Sequence, residues 1–158
     1  MAHIGVISDT HGLLRPEVVA ALKGAERIIH AGDVGDPAIL DALAAIAPVL
    51  AVRGNIDRGA WANTLPATIV VEWGDRAIYV VHDIAELDLD PAAAGFDGVI
   101  TGHSHRPAIE TKDGVLYFNP GSAGPRRFRL PITLGRLTLS PEGLQAEIID
   151  LSASAGTR

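Results

Sequence analysis

The chain has no cysteine, which excludes disulfides, thiolate catalysis and cysteine-ligated zinc. It has no basic excess either. A net charge of −6 and a pI near 5.4 argue against a surface that holds long nucleic acid by broad electrostatic attraction. They do not argue against an anionic substrate, because bound divalent cations can dominate a local field. No segment is apolar for long enough to span a bilayer, so no membrane partner is expected. The opening Met1-Ala2-His3-Ile4 lacks the basic region and apolar stretch of a signal peptide, so a cytoplasmic location is the default expectation.

What is present is the composition of a globular protein: 158 residues, 47% apolar and 20% charged. That length suits one domain with a sizeable core. Residues 1–151 are read as that domain, and the small, polar stretch 152–158 as a frayed tail.

The first third alternates short apolar runs with helical patterns. Residues 3–8 read as a strand, and Pro16 opens a helix through Val18, Val19 and Leu22 that Gly24 stops. Residues 26–30 form a second strand. Asp36-Pro37 caps a helix through Ile39, Leu40, Leu43 and Ile46, ended by Pro48, before a strand at 49–52. This βαβαβ order predicts parallel strands. Beyond residue 64 the texture changes to hairpins: 68–71 with 77–81 about Glu72-Trp73-Gly74-Asp75, 107–118 about Lys112-Asp113-Gly114, and 132–139 with 144–150 about Ser140-Pro141-Glu142-Gly143. A short helix near 90–94 and a strand at 97–101 lie between the first two. The expected fold is an α/β β-sandwich: two packed sheets flanked by helices, in four layers.

Five polar clusters follow apolar runs in order: Asp9-Thr10-His11, Gly32-Asp33, Gly54-Asn55-Ile56-Asp57, His82-Asp83 and Gly102-His103-Ser104-His105. Strand ends of this kind can converge on one crevice outside the carboxyl edge of a sheet. Asp9 and His11, one residue apart, can aim at one cation. Asp33 can bridge two ions, Asn55 adds a neutral oxygen, and His82, His103 and His105 add imidazoles. Nitrogen and oxygen donors in this number suit two adjacent divalent ions with positions left open for water and substrate. Taken singly, each cluster also has a plain structural reading as a turn, a loop or a satisfied histidine; five in this order are poorly explained by coincidence.

Other polar residues read as structural. His3 enters the first strand, His30 supports or packs, Asp36 caps a helix, and Asp83 is a hydrogen-bond acceptor or a turn residue. Arg126, Arg127 and Arg129 form a solvated loop, with a phosphate or partner contact as the lesser reading. Asn119-Pro120-Gly121-Ser122 is a tight turn first and a site wall second.

The clusters resemble the motifs D-x-H, G-D, G-N-H-D/E, H and G-H-x-H of the calcineurin-like metallophosphoesterase family, over residues 4 to 105. Their spacing suits the small single-domain bacterial and archaeal phosphodiesterase branch, and Asn119-Pro120-Gly121-Ser122 extends the likeness. The resemblance implies one metal on Asp9, His11, Asp33 and His105, and another on Asp33, Asn55, His82 and His103. Mn²⁺ is the first choice, and Zn²⁺, Fe or Ni²⁺ suit the same ligands. It also implies catalytic parts for Asn55 and Asp57 and a substrate contact from Asn55; Arg53, two residues before Asn55, is placed to steady the substrate, with a structural salt bridge at least as good a reading. Ile56 stands where many members carry a histidine thought to protonate the leaving group, so Asp57 has no imidazole to orient. Asp83 stands where the family often has glycine.

The implied activity is hydrolysis of a phosphodiester, or an activated phosphoester, by a hydroxide bridging two metals, with a small substrate and, as for many soluble proteins, a homo-oligomer in view. The competing expectation is a metal-binding scaffold with little or no catalysis, as in the retromer scaffold subunit that resembles this branch. A nuclease acting on long DNA ranks third.

Overall fold

In the computed structural model, residues 2–127 and 129–152 are described. Among the described residues, ten strands form two five-stranded sheets. The first has the order β10-β9-β1-β2-β3, built from β1 (His3–Ile7), β2 (Arg27–His30), β3 (Val49–Ala51), β9 (Thr133–Ser140) and β10 (Gly143–Asp150). β1, β2 and β3 are parallel, as the βαβαβ pattern predicts, and β9 and β10 add antiparallel. The second sheet has the order β4-β5-β6-β8-β7, from β4 (Thr68–Trp73), β5 (Arg76–Val81), β6 (Gly98–Ile100), β7 (Ala108–Lys112) and β8 (Val115–Asn119). It is mixed: β5, β6 and β8 run parallel, with antiparallel strands at both edges.

Side-chain alternation along β1 sorts the layers. Ile4 and Val6 enter the core between the sheets with Ile29, Ile78, Val80, Ile100, Phe118 and Leu137. Ile7 turns the other way, toward α1 (Pro16–Leu22) and α2 (Pro37–Ala44), where Val18, Leu22, Ile28 and Leu43 are buried. Gly5 shares that outer face because a Cβ there would meet Leu22 Cδ2 at 2.5 Å. On the far side of the second sheet the cover is thin. Leu87, Leu89 and Phe96 pack on Tyr79, Val81 and Val99.

Three local expectations change. Segment 90–94 is a hydrogen-bonded turn rather than a helix: Ala94 N–H donates to the Asp90 carbonyl at 2.9 Å, and Gly95, at φ 85°, ends the run before a second turn can form. The first hairpin is tighter than expected, with Trp73 opposite Arg76 and a two-residue turn at Gly74-Asp75, because Trp73 is buried between the sheets. Ser152 is fastened: its hydroxyl accepts from Ile132 N–H and its own N–H donates to Asp150. The rest of the expected tail, 153–158, lies outside the described residues. A four-residue helix α3 (Ala60–Asn63) and a 3-10 turn (Ile84–Glu86) were not foreseen. No helix among the described residues is long and apolar enough to cross a membrane.

The parallel strands bring the carboxyl ends of β1, β2 and β3 to one edge of their sheet, and those of β5 and β6 to one edge of theirs. All five polar clusters lie just past these ends.

Candidate metal centre

The loops that leave the strands are sharply bent. Asp9 (φ 58°), His11 (46°), Asp33 (56°), His103 (70°) and His105 (63°) all adopt the left-handed region; the one other described non-glycine residue that does so, Asp113, is in a hairpin turn. Such backbone costs free energy unless its surroundings enforce it. Here the loops are stitched to each other: Asp9 N–H donates to the Gly32 carbonyl at 3.0 Å, His11 N–H to Asp33 at 2.9 Å and Gly12 N–H to Val34 at 2.8 Å. Two glycines permit the close approach. A Cβ on Gly54 would collide with the Asp33 backbone nitrogen, and one on Gly102 with Ser8 Oγ.

Each acidic side chain is pinned by one oxygen and presents the other. Asp9 Oδ2 accepts from Ser8 Oγ at 2.7 Å and from His103 N–H at 3.0 Å. Asp9 Oδ1 is left 3.5 Å from His105 Nε2, 3.7 Å from His11 Nε2 and 3.9 Å from His82 Nε2. Asp33 Oδ1 accepts from Ile56 N–H at 3.0 Å, and Oδ2 stands between His11 Nε2 at 3.5 Å and His82 Nε2 at 3.2 Å. Asn55 Oδ1 is 3.1 Å from His82 Nε2 and 3.2 Å from His103 Nδ1.

The imidazoles are oriented from behind. His82 Nδ1 donates to the Ala31 carbonyl at 2.7 Å, which turns Nε2 toward the cluster. His103 Nε2 lies 3.6 Å from Asp83 Oδ2, leaving Nδ1 toward Asn55. Asp83 also accepts from Ala85 N–H and so caps the 3-10 turn.

The side chains fall into two ligand groups, Asp9 with His11 and His105, and Asp33 with His82 and His103. Asp9 Oδ1 and His11 Nε2 are buried without a hydrogen-bond partner, an arrangement that costs free energy unless something else binds them. Donors about 2.1 Å from one ion sit roughly 3.0–3.5 Å from each other, close to the spacings above. The donor set fits divalent ions of the Mn²⁺, Fe²⁺ or Zn²⁺ type.

Electrostatics match. Burial pushes the Asp33 carboxyl up, but the His82 hydrogen bond, the Ile56 N–H and the His82 and His11 charges outweigh it and hold it at about 2. Burial pushes His82 down, yet the Asp33 hydrogen bond and the Asp9 and Asp33 charges raise it to about 8. His105 is lowered, first by burial and also by the Arg127 charge, against the pull of Asp9.

The remaining sequence-derived residues are placed as follows. Asp57, expected with Asn55 to serve catalysis, is buried with both oxygens taken by backbone donors: Gly35 N–H at 2.9 Å, Gly54 N–H at 2.9 Å and Val34 N–H at 3.2 Å. It ties the Asp33 loop to the Asn55 loop. Arg53 donates to the Leu65 carbonyl at 3.3 Å and lines a cavity of about 330 Å³ that Asn55, Arg58, Ala67, His82 and Glu86 also line. Among these, Arg58 and Glu86 carry no motif signal, since the first lies outside the clusters and the second on an unforeseen turn. His30 is fully buried, with Gly32 N–H donating to Nδ1 at 3.1 Å and Thr10 Oγ1 at 3.0 Å from Nε2. Because Thr10 gives its proton to the Val34 carbonyl, Nε2 must carry the hydrogen. His30 is thus a neutral support. Asn119 Nδ2 donates to the Gly102 carbonyl and Ser104 Oγ, holding the His103–His105 loop. Ser122 Oγ donates to the Asp9 carbonyl, and Asp36 caps α2 through Ala38 N–H.

The profile of the calcineurin-like phosphoesterase superfamily domain matches residues 2–142. A protein of Methanothermobacter thermautotrophicus named probable metallophosphoesterase is 36% identical over 162 residues, covering 95% of this chain and 93% of that one. A phosphodiesterase of Methanocaldococcus jannaschii is 30% identical, covering 75% and 82%. Among solved structures, Vps29 of Chaetomium thermophilum superposes with a TM-score of 0.75 at 21% identity, covering 95% and 98%. That last likeness shows the shared fold.

Proposed function

The chain belongs to the calcineurin-like phosphoesterase superfamily, and from that premise we propose that it is a metal-dependent phosphodiesterase whose centre is the Asp/His cluster. The single observation that carries this reading is the pair of carboxylates, Asp9 and Asp33, each pinned by one oxygen and each offering the other to imidazole nitrogens 3.2–3.9 Å away. In this reading Asp9, His11, Asp33 and His105 would hold one ion, and Asp33, Asn55, His82 and His103 the other, with Asp33 common to both sets. Mn²⁺ is the proposed ion.

Two divalent ions, when bound, supply a hydroxide nucleophile near neutral pH and offset the charge of the phosphoryl oxygens. The protein's residues do the rest. Asn55, whose amide oxygen faces His82 and His103, sets the side of the cluster on which a phosphoryl group docks, and its Nδ2 can donate to a phosphoryl oxygen. Arg53, steadied by the Leu65 carbonyl, adds a guanidinium to the adjoining cavity. Asp57 is a positioning residue: it holds the Asp33 and Asn55 loops in register. Ile56 offers no proton to the leaving group, so the reaction favours leaving groups that depart without one. The proposed substrate is a small phosphoester, and the proposed setting is the cytoplasm.

The scaffold reading differs in a measurable way. An enzyme of this design binds two ions per chain, and His82→Ala removes one of them together with turnover. Equilibrium dialysis with Mn²⁺ and elemental analysis of wild type and His82→Ala tests this. Two ions falling to one, with turnover of bis-p-nitrophenyl phosphate lost alongside, supports the proposal; two ions in a wild type that turns over no phosphodiester supports the scaffold, and none would sink both.

A further inference from the structure

We infer that the cavity beside Asn55 is a subsite for a second phosphate group, carried on one arm of the phosphodiester, and that Arg58 is a specificity-determining residue in it. The inference rests on the hydrolytic reading of the neighbouring cluster and deepens it.

The cavity shares Asn55 and His82 with the cluster, so a substrate docked at one extends into the other. Two arginines line it, Arg53 and Arg58, in a protein whose net charge is −6. Of the two carboxylates on its wall, Asp57 gives both oxygens to backbone donors, which leaves Glu86 to oppose the pair. Arg53 is braced at its guanidinium by the Leu65 carbonyl and at its backbone by Pro66. Arg58 is exposed and follows directly on the locked Asp57. Paired guanidinium forks match the oxygens of a phosphate dianion better than any neutral group.

The scissile diester does not need these arginines. It carries one negative charge, which the divalent ions that the Asp9 and Asp33 groups would hold are suited to offset. A volume of about 330 Å³ lies at the small end of ligand pockets, enough for a terminal phosphate and the short link that joins it to the reacting centre. Glu86 offers acceptors for a hydroxyl on that link and repels the phosphate itself, so its charge sets an upper limit on affinity that substitution should relieve.

The test compares two esters with one leaving group: thymidine 5′-(p-nitrophenyl phosphate) with and without a 3′-phosphate, on the Mn²⁺-loaded protein. Calorimetric binding of thymidine 3′,5′-bisphosphate and thymidine 5′-monophosphate runs beside it. One charge-assisted contact corresponds to about tenfold, so the 3′-phosphate should raise kcat/KM and affinity by about that factor, chiefly through KM. Arg58→Ala should abolish the preference, Arg58→Lys should keep part of it, and Glu86→Gln should enlarge it. Equal handling of the two esters and equal affinity for the two nucleotides, unmoved by these variants, would overturn the subsite while leaving hydrolysis intact. A binding preference that Arg58→Ala removes, without turnover of either ester, would support the subsite and count against the hydrolytic reading alone.

Discussion

Ile56 gives its backbone N–H to Asp33 Oδ1 at 3.0 Å while its side chain remains 39% exposed. The residue thus takes part in the centre through its backbone. Its amide fixes which Asp33 oxygen faces His11 and His82, and its side chain occupies the rim without a titratable group. In the proposed centre the position would separate two tasks, holding a carboxylate ligand and delivering a proton, with only the first kept here.

Supplying the missing proton donor should therefore help selectively. Ile56→His leaves the N–H in place and is expected to raise kcat for diesters with alkoxide leaving groups by about 100-fold, the lower end of the usual range of general acid catalysis. With p-nitrophenolate, which leaves unassisted, the change should stay within about twofold. Rates across a series of leaving groups measure this. An equal effect on both kinds of ester would count against a vacant acid position.

Asp57 should matter for stability as well as rate. Asp57→Asn replaces an acceptor-only group with one whose amide N–H confronts backbone donors from Val34, Gly35 and Gly54. Leaving such donors unpaired costs about 1–3 kcal/mol each, so a net loss of about 3 kcal/mol is expected, read from the urea midpoint at unchanged slope. A shift below about 0.5 kcal/mol would show that the loops do not depend on this carboxylate.

Acid sensitivity should track His30. Burial holds its pKa at about 4, below the ordinary 6.5, against the pull of Asp9, Asp57 and Asp33. The folded state therefore resists a proton that the unfolded chain accepts. The His30 contribution to stability is full above pH 6.5 and is lost as pH drops toward 4, by about 3 kcal/mol in all. His30→Gln, which can keep both hydrogen bonds without titrating, should flatten the profile in that window. Urea unfolding at pH 7.5, 6, 5 and 4.5 compares them, and parallel curves would contradict the assignment.

The five clusters were legible because each sits where an apolar run stops, and a short strand followed by a polar turn is a local pattern. The convergence of Asp9, Asp33, Asn55, His82 and His103 follows from parallel strands whose ends share an edge. The β5–β6–β8 parallel core of the second sheet was less visible, since the hairpin 107–118 conceals that β8, its second strand, is the one that pairs with β6. The role of Asp57 was hidden for another reason: its partners Val34 and Gly35 lie more than twenty positions away and donate through backbone N–H groups, which leave no mark in side-chain composition. Arg58 and Glu86 line one cavity, but the first lies in a loop and the second on a 3-10 turn too short for periodicity to show.

The most direct test is hydrolysis of bis-p-nitrophenyl phosphate by metal-stripped protein before and after Mn²⁺ is added, with Asp33→Asn alongside. Asp33 Oδ2 faces both His11 and His82 and would be common to both proposed ligand sets, so turnover should appear with Mn²⁺ in the wild type and fall by at least about 10³-fold in the variant, as for the loss of a group central to transition-state stabilisation. An Asp33→Asn protein that retained full Mn²⁺-dependent turnover would contradict the shared-carboxylate centre.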